Sequence, residues 1–422
     1  MESQILVLFY HKISDLQQDI NSLAVSVDEF DEQMQYVKEH YEIVCVNDNF
    51  ANKTGNMVAI TFDDGYEDNL VNALPILEKL EIPATVFVTI GNIGSDKELW
   101  HDEIVNLIFM GRYYPEYFLT NSTIYSYRCS TKTMEERAKL YYALRNILLR
   151  INNTDRELIL RDLRNWAGKG KNDRITHKIL SYDQLSELSN SKYITIGAHT
   201  INHPALGLLE KDEQQKEIVE SKKKLEEWTG KKICIFSYPF GNRTSYTDET
   251  VQICRNAGFT RAVTTVPGII RDNKYNEFEI PRVAVQVHEL NQFKMLLNSY
   301  FSEKKAVVQQ KKCEDFFFEY IGQLEQDIQL LKSKKTIVIF GAGYRGKQIY
   351  ETFEQFGIEN RVVAFWDNDP NKVNTRLNNT PIYKPSKDNK YIDSIIVIAI
   401  RNITTISKQI KELGLQGIHY YF

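Results

Sequence analysis

The five cysteines of this 422-residue chain, at 45, 129, 234, 254 and 313, are odd in number, widely spaced and form no Cys-x-x-Cys pair. That excludes a disulfide framework and a thiolate zinc site, and it fits a reducing compartment. Proline is scarce, at ten residues, and with 42% hydrophobic and 26% charged residues the composition is globular rather than disordered. No apolar run approaches the roughly 18 residues needed to cross a bilayer. The opening run Ile5–Tyr10 has neither a basic flank nor a small-residue cleavage site. The expected location is the cytoplasm. Strong charge of one sign is missing as well: a net charge of −4 gives no reason to expect nucleic acid or an anionic membrane as a partner.

What is present is length for two or three domains and a rhythm of short apolar runs. Ile5–Tyr10, Met57–Phe62, Ala84–Thr89, Tyr193–Ala198, Ile233–Tyr238 and Arg261–Val266 alternate with helical patterns. This predicts parallel β/α architecture with buried strands, in a barrel or distorted barrel over residues 1–301. Residues 99–179 break the rhythm with helical segments such as Met134–Ile151 and Asp155–Trp166, and are read as a mainly helical insertion. It begins at the carboxyl end of a strand, the face that carries the chemistry in β/α barrels. Residues 302–334 read as a charged helical connector and 335–422 as a second, small α/β domain.

Two strand exits carry polar residues of a kind that core packing does not require. Asp63, Asp64 and Gly65 follow Val58–Phe62, and neighbouring extended residues point to opposite sides, so one carboxylate can ligate while the other handles protons. His199 and His203 follow Ile194–Ala198, and four residues let both rings converge if the chain makes one helical turn. Two imidazoles and a carboxylate suit zinc or another late divalent metal and leave positions open for water and substrate.

Read together, Thr61-Phe62-Asp63-Asp64-Gly65 and His199-Thr200-x-x-His203 resemble the motifs of the polysaccharide deacetylases, the NodB-homology domains of carbohydrate esterase family four. Leu180–Leu185 before Ile196–His199, and Phe236–Gly241, match the supporting context. The resemblance implies a metal-dependent deacetylase in which Asp63 is the base and Asp64, His199 and His203 hold the metal. It further implies that the backbone N–H of Phe240 stabilises the oxyanion, and that Tyr238 of the same motif meets the substrate. The arginine that many members carry in this motif is replaced, with Ser237 the nearest equivalent. For the general acid, His288 lies in a segment lacking the family's Leu-x-His pattern. His11, in Tyr10-His11, resembles the acid histidine of members acting on poly-N-acetylglucosamine. Trp100, followed by His101, Asp102 and Glu103 at the start of the insertion, is expected as a stacking surface for a sugar ring. The implied partner is an acetylated sugar or glycan, in a precursor made in the cytoplasm.

The second domain opens with Gly341-x-Gly343-x-x-Gly346 after a strand and before a helix, and Asp367 closes the next strand. That spacing suits a Rossmann-type loop binding a nucleotide or nucleotide-sugar, with the acid on ribose hydroxyls. Such small Rossmann-like domains resemble those attached to bacterial sugar-modifying enzymes.

Overall fold

A computed structural model describes residues 3–302 apart from 17–18, 51–52, 112, 122–125, 169–173 and 273. Beyond them it describes 336–343, 346–347, 349–350, 353, 358–386, 394–398, 409 and 412–413. The expected connector at 302–334 and the expected last strand at 418–422 therefore lie outside the described residues, save Ser302.

Among the described residues the main sheet has nine strands, seven of them in one path: β1 (Ser3–Tyr10), β2 (Gly55–Phe62), β3 (Ala84–Val88), β4 (Ile194–Ala198), β5 (Ile235–Ser237), β6 (Arg261–Val263) and β7 (Ile270–Arg271). Their order is β6-β5-β4-β3-β2-β1-β7, parallel throughout except where β7 runs against β1. The short strand β8 (Val283–Ala284) pairs parallel with the upper half of β1, through Leu8 and Phe9. The sheet is a curled half-barrel rather than a regular ring. Its ends are tied by the irregular segment 277–285: Ile280 bridges Val263, and Val285 N–H donates to the Phe9 carbonyl.

Continuous apolar runs follow from burial on both faces. On β1, Ile5 and Val7 join Met57, Ala59, Phe87, Ile235, Val263 and Ile280 on the concave side. Leu6, Leu8 and Tyr10 face the helices α1 (Val27–His40) and α2 (Leu74–Leu80), with Phe30, Met34, Val37 and Leu77. Ser26 starts α1 with a capping box to Glu29.

The insertion has its own core. The helices α3 (Trp100–Phe109), α4 (Met134–Leu148) and α5 (Asn153–Ala167) pack Ile104, Ile108, Leu140, Leu144, Ile159 and Leu163 together. It is not purely helical. Tyr117–Asn121 and Ser126–Ser130 form an antiparallel hairpin, where alternating residues such as Phe118 (buried) and Leu119 (exposed) carry a strand period.

In the C-terminal part, β9 (Ile337–Phe340) lies between β10 (Val362–Trp366) and β13 (Ile395–Ile398), parallel to both. A two-residue strand β11 (Arg376–Leu377) runs antiparallel to β12 (Thr380–Tyr383), which pairs with β10.

Candidate active site

Parallel strands bring their carboxyl ends to one rim, and the polar residues leave the sheet there. Cross-strand bonds set their heights: Asp63 N–H donates to Tyr10 O (3.0 Å), His199 N–H to Val88 O (3.0 Å) and Thr89 N–H to Asp64 O (3.2 Å). The backbone then turns sharply. Asp64 (φ 80°), Thr200 (67°), His203 (52°) and Phe240 (61°) are four of the ten non-glycine residues with positive φ among the described residues. Each such residue costs about 1–3 kcal/mol, and strain of this kind gathers where side-chain placement matters. The helical turn expected between His199 and His203 is not formed. A left-handed turn replaces it, held by His203 N–H on Thr200 Oγ1 and by Glu217, from α6 (Lys211–Thr229). Its carboxylate accepts from the Ile201 and Asn202 N–H groups at 2.8 and 2.9 Å.

Asp64, His199 and His203 are buried, with one ligand atom from each lying within 4.8 Å of the others. Asp64 Oδ1 is 3.5 Å from His199 Nε2 and 3.2 Å from His203 Nε2, and this buried oxygen has no hydrogen-bond partner among the described residues. His199 Nδ1 sits 2.8 Å from the Ser237 carbonyl, which fixes the proton there and leaves Nε2 as a lone pair. Burial, then the charges of Asp63 and Asp102, push the Asp64 carboxyl well above its usual range; burial first pushes the His199 and His203 rings down. Converging lone pairs around an orphaned carboxylate oxygen, in a site short of positive charge, fit a divalent cation.

Asp63 meets a different partner. Arg282, fully buried in the closing segment, donates from Nη1 and Nη2 to the two Asp63 oxygens at 2.8 and 2.7 Å. Its remaining donors reach Thr61 Oγ1, Ser237 Oγ and the Thr264 carbonyl. Burial alone raises the Asp63 carboxyl, but the Arg282 charge and hydrogen bonds bring it down to about 2. The replaced arginine is thus restored from elsewhere in the chain, and Ser237 hydrogen-bonds to it.

Two expected substrate residues are corrected by burial. The Tyr238 ring is fully buried, stacks on Tyr246 at 4.4 Å and donates to the Phe278 carbonyl, so it is core. Trp100 is 5% exposed, lies under the Arg156 guanidinium and donates from Nε1 to the His203 carbonyl at 3.0 Å. It supports the His203 backbone rather than stacking on a sugar. Phe240 is half-buried, its ring against His203 at 4.7 Å, and its N–H has no partner among the described residues. His11 follows β1 at the same rim; burial pushes its ring down to about 4, while the Asp63 charge opposes the fall. His288 is exposed and pairs with Glu29 of α1 at 3.4 Å.

A family model described as polysaccharide deacetylase matches residues 51–106 and 170–262. This part of the chain matches the polysaccharide deacetylase family. The break between the two matched stretches falls on the insertion. The chain is 24% identical over 269 residues to YxkH of Bacillus subtilis (strain 168), a protein of polysaccharide-deacetylase type, covering 62% of this chain and 64% of that one. It is 30% identical over 113 residues to the poly-beta-1,6-N-acetyl-D-glucosamine N-deacetylase of Staphylococcus aureus (strain MW2), covering 22% of this chain and 39% of that protein. It thus spans less than two thirds of either relative. Among solved structures it is similar to BC0361, a polysaccharide deacetylase from Bacillus cereus (21% identity, 70% of this chain and 69% of that one, TM-score 0.46). IcaB from Ammonifex degensii is similar over 70% of this chain and 96% of its own, at 19% identity and a TM-score of 0.45. A second model, described as C2185-like, N-terminal, matches residues 333–419.

In that second region the glycine loop turns back on its own sheet. Gly341 (φ 110°) donates from its N–H to the Trp366 carbonyl, and Asp367 accepts from Ala342 N–H at 2.8 Å with Lys372 Nζ 3.4 Å away. A Cβ on Gly346 would collide with the Gly341 carbonyl, whereas one on Gly343 meets nothing nearer than Lys372 Nζ at 3.8 Å. The three glycines and Asp367 are therefore together, with the carboxylate turned onto the loop.

Proposed function

We propose that the deacetylase domain is a metal-dependent hydrolase acting on the acetamide of an N-acetylated sugar in a bacterial glycan or glycan precursor. The observation that carries this reading is the meeting of the Asp64, His199 and His203 lone pairs beside a carboxylate held anionic by Arg282. Asp64, His199 and His203 would hold the ion, zinc being the natural fit for two imidazoles and one carboxylate. When bound it supplies Lewis-acid polarisation of the carbonyl and a more acidic water.

The chain's own residues do the rest. Asp63, fixed by two bonds from Arg282, keeps lone pairs free to take a proton from the attacking water. The unpaired Phe240 N–H, presented by a left-handed residue, donates to the carbonyl oxygen as it gains charge. His11 enters as a neutral ring because its burial holds it near 4. It hands on a proton to the leaving nitrogen only after receiving one, and Asp63 is the group that has just taken one up. Amine and acetate leave.

The test is acetate release by the full chain from poly-β-1,6-N-acetylglucosamine and chito-oligosaccharides, with zinc and after chelation. Zinc-dependent acetate from an N-acetylated substrate is the expected result. Acetate only from O-acetylated polysaccharide would replace this reading by O-deacetylation, and none from either would favour a non-catalytic glycan-binding role. For the glycine loop, the proposed ligand remains a nucleotide or nucleotide-sugar, supported by the strand, loop and helix order and by the open space at Gly343. Calorimetric titration with UDP-N-acetylglucosamine tests it.

A further inference from the structure

The insertion reaches the ligand carboxylate itself. Asp64 Oδ1 faces His199 and His203, which leaves Oδ2 for another group. On that side stand the Tyr66 hydroxyl and His101, in the first turn of α3, whose Nε2 lies 3.8 Å from Asp64 Oδ2 and 3.3 Å from the Tyr66 hydroxyl. The His101 ring packs 5.0 Å from that of His203.

The protonation of this nitrogen follows from its neighbours. The Tyr66 hydroxyl gives its only proton to Asp102 Oδ2, at 2.7 Å. With Asp64 ionised as a ligand, Nε2 of His101 faces two oxygens that offer it no proton, so Nε2 carries the hydrogen. Tyr66 is fully buried and cannot swing away, because the Lys12 ammonium sits 3.9 Å over its ring and Lys12 is itself anchored on Asp68 and the Thr176 carbonyl. Asp102 is likewise buried, and Asn21 donates to its other oxygen.

We propose that His101 is a positioning residue for the metal site: its Nε2–H, fixed in that tautomer by the Tyr66–Asp102 pair, orients Asp64 through Oδ2 so that Oδ1 stays aimed at the ion. The proposal rests on the reading of Asp64, His199 and His203 as ligands. Partners of this kind hold ligand geometry, and losing one typically weakens metal binding about 10–100-fold. The insertion then sets metal affinity as well as flanking the cleft.

The test uses metal-free full-length protein and measures the zinc Kd by competition with a chromogenic chelator, beside a thermal melt for each variant. His101→Leu is expected to weaken zinc about 10–100-fold. His101→Gln, whose amide reaches the place of Nε2, is expected to recover most of that, and His101→Asn, which is one bond shorter, is not. Tyr66→Phe, which removes the hydroxyl that fixes the His101 tautomer and leaves His101 in place, is expected to lose a smaller factor. Equal zinc affinity in the Gln and Asn variants, or in wild type and His101→Leu, with Asp64→Ala abolishing binding, overturns the proposal while leaving the metal site in place. Zinc binding unaffected by Asp64→Ala overturns the site reading itself. If His101→Leu fails to fold, the Gln and Asn pair still decides.

Discussion

The strand exits and the insertion face build one site by different means. At the exits, Asp63, Asp64, His199 and His203 come from two short motifs, and their placement follows from strand register and sharp left-handed turns. From the insertion come Trp100, His101 and Arg156, which support the cluster from outside: Trp100 holds the His203 carbonyl, His101 lies against Asp64 and His203, and Arg156 caps the Trp100 ring and bonds the Asn202 carbonyl at 2.7 Å. The candidate reacting groups sit at the strand exits, and part of what holds them, beside Glu217 and Arg282 of the main fold, sits on an appended layer. A layer of this kind can change while the chemistry stays.

Substitutions on either side should separate the two. The largest effect is expected at Asp63→Asn, which keeps shape and removes the base: acetate release should fall by about 10²–10⁴-fold with zinc content unchanged by metal analysis. Undiminished turnover would remove Asp63 from its role. Next is Arg282→Gln, which leaves a buried carboxylate without its cation. Breaking such a pair costs about 3–5 kcal/mol, read as a lower denaturant midpoint, and Arg282→Lys should recover only part because it cannot bond both oxygens at once.

On the insertion side, Trp100→Phe deletes one hydrogen bond to the His203 carbonyl and is expected to cost about 0.5–1.5 kcal/mol, again by denaturation. KM for the sugar should stay as in wild type; a large rise in KM would restore Trp100 as a stacking platform. The smallest effect belongs to the pair outside both regions. Burial raises the Glu29 carboxyl, but His288 and Ser26 bring it down to about 2, while the hydrogen bond to Glu29 raises His288 above its usual value. Glu29 adds stability above about pH 4.3 that is lost as pH falls toward 2. His288 adds stability below about pH 6.5 that is lost as pH rises through its folded value. The pair is therefore worth most at about pH 4.5–6.5, and His288→Ala should remove roughly 0.2–1 kcal/mol there. A flat pH profile of the difference would show that the contact contributes nothing.

Sequence shows those parts of the site whose geometry is local. Strand exits at Phe62 and Ala198 are marked by apolar runs that stop at polar residues, so the carboxylates and imidazoles could be placed on one rim. Arg282 could not be, since 219 residues separate it from Asp63 and only the closing of the half-barrel joins them. Glu217 is only 16 residues from the loop it serves, but nothing in its helical pattern shows that its carboxylate turns back onto that loop. Trp100 and Tyr238 mislead in the opposite direction: an aromatic beside a motif reads as a sugar platform, and only tertiary packing reveals that both are covered. The alternation in Tyr117–Asn121 runs for only five residues and is masked by the longer helical patterns around it, so the hairpin is not legible in the sequence.

Arg282 has a consequence for the order of synthesis. Asp64, His199 and His203 are all translated before residue 204, whereas the guanidinium that orients Asp63 arrives with the segment running from Ile280 to Val283. On the function proposed above, a growing chain therefore owns its three proposed metal ligands roughly 80 residues before it owns an oriented base. The same segment that brings Arg282 and closes the half-barrel would also arm Asp63, so the proposed hydrolysis would begin only once the fold has been sealed.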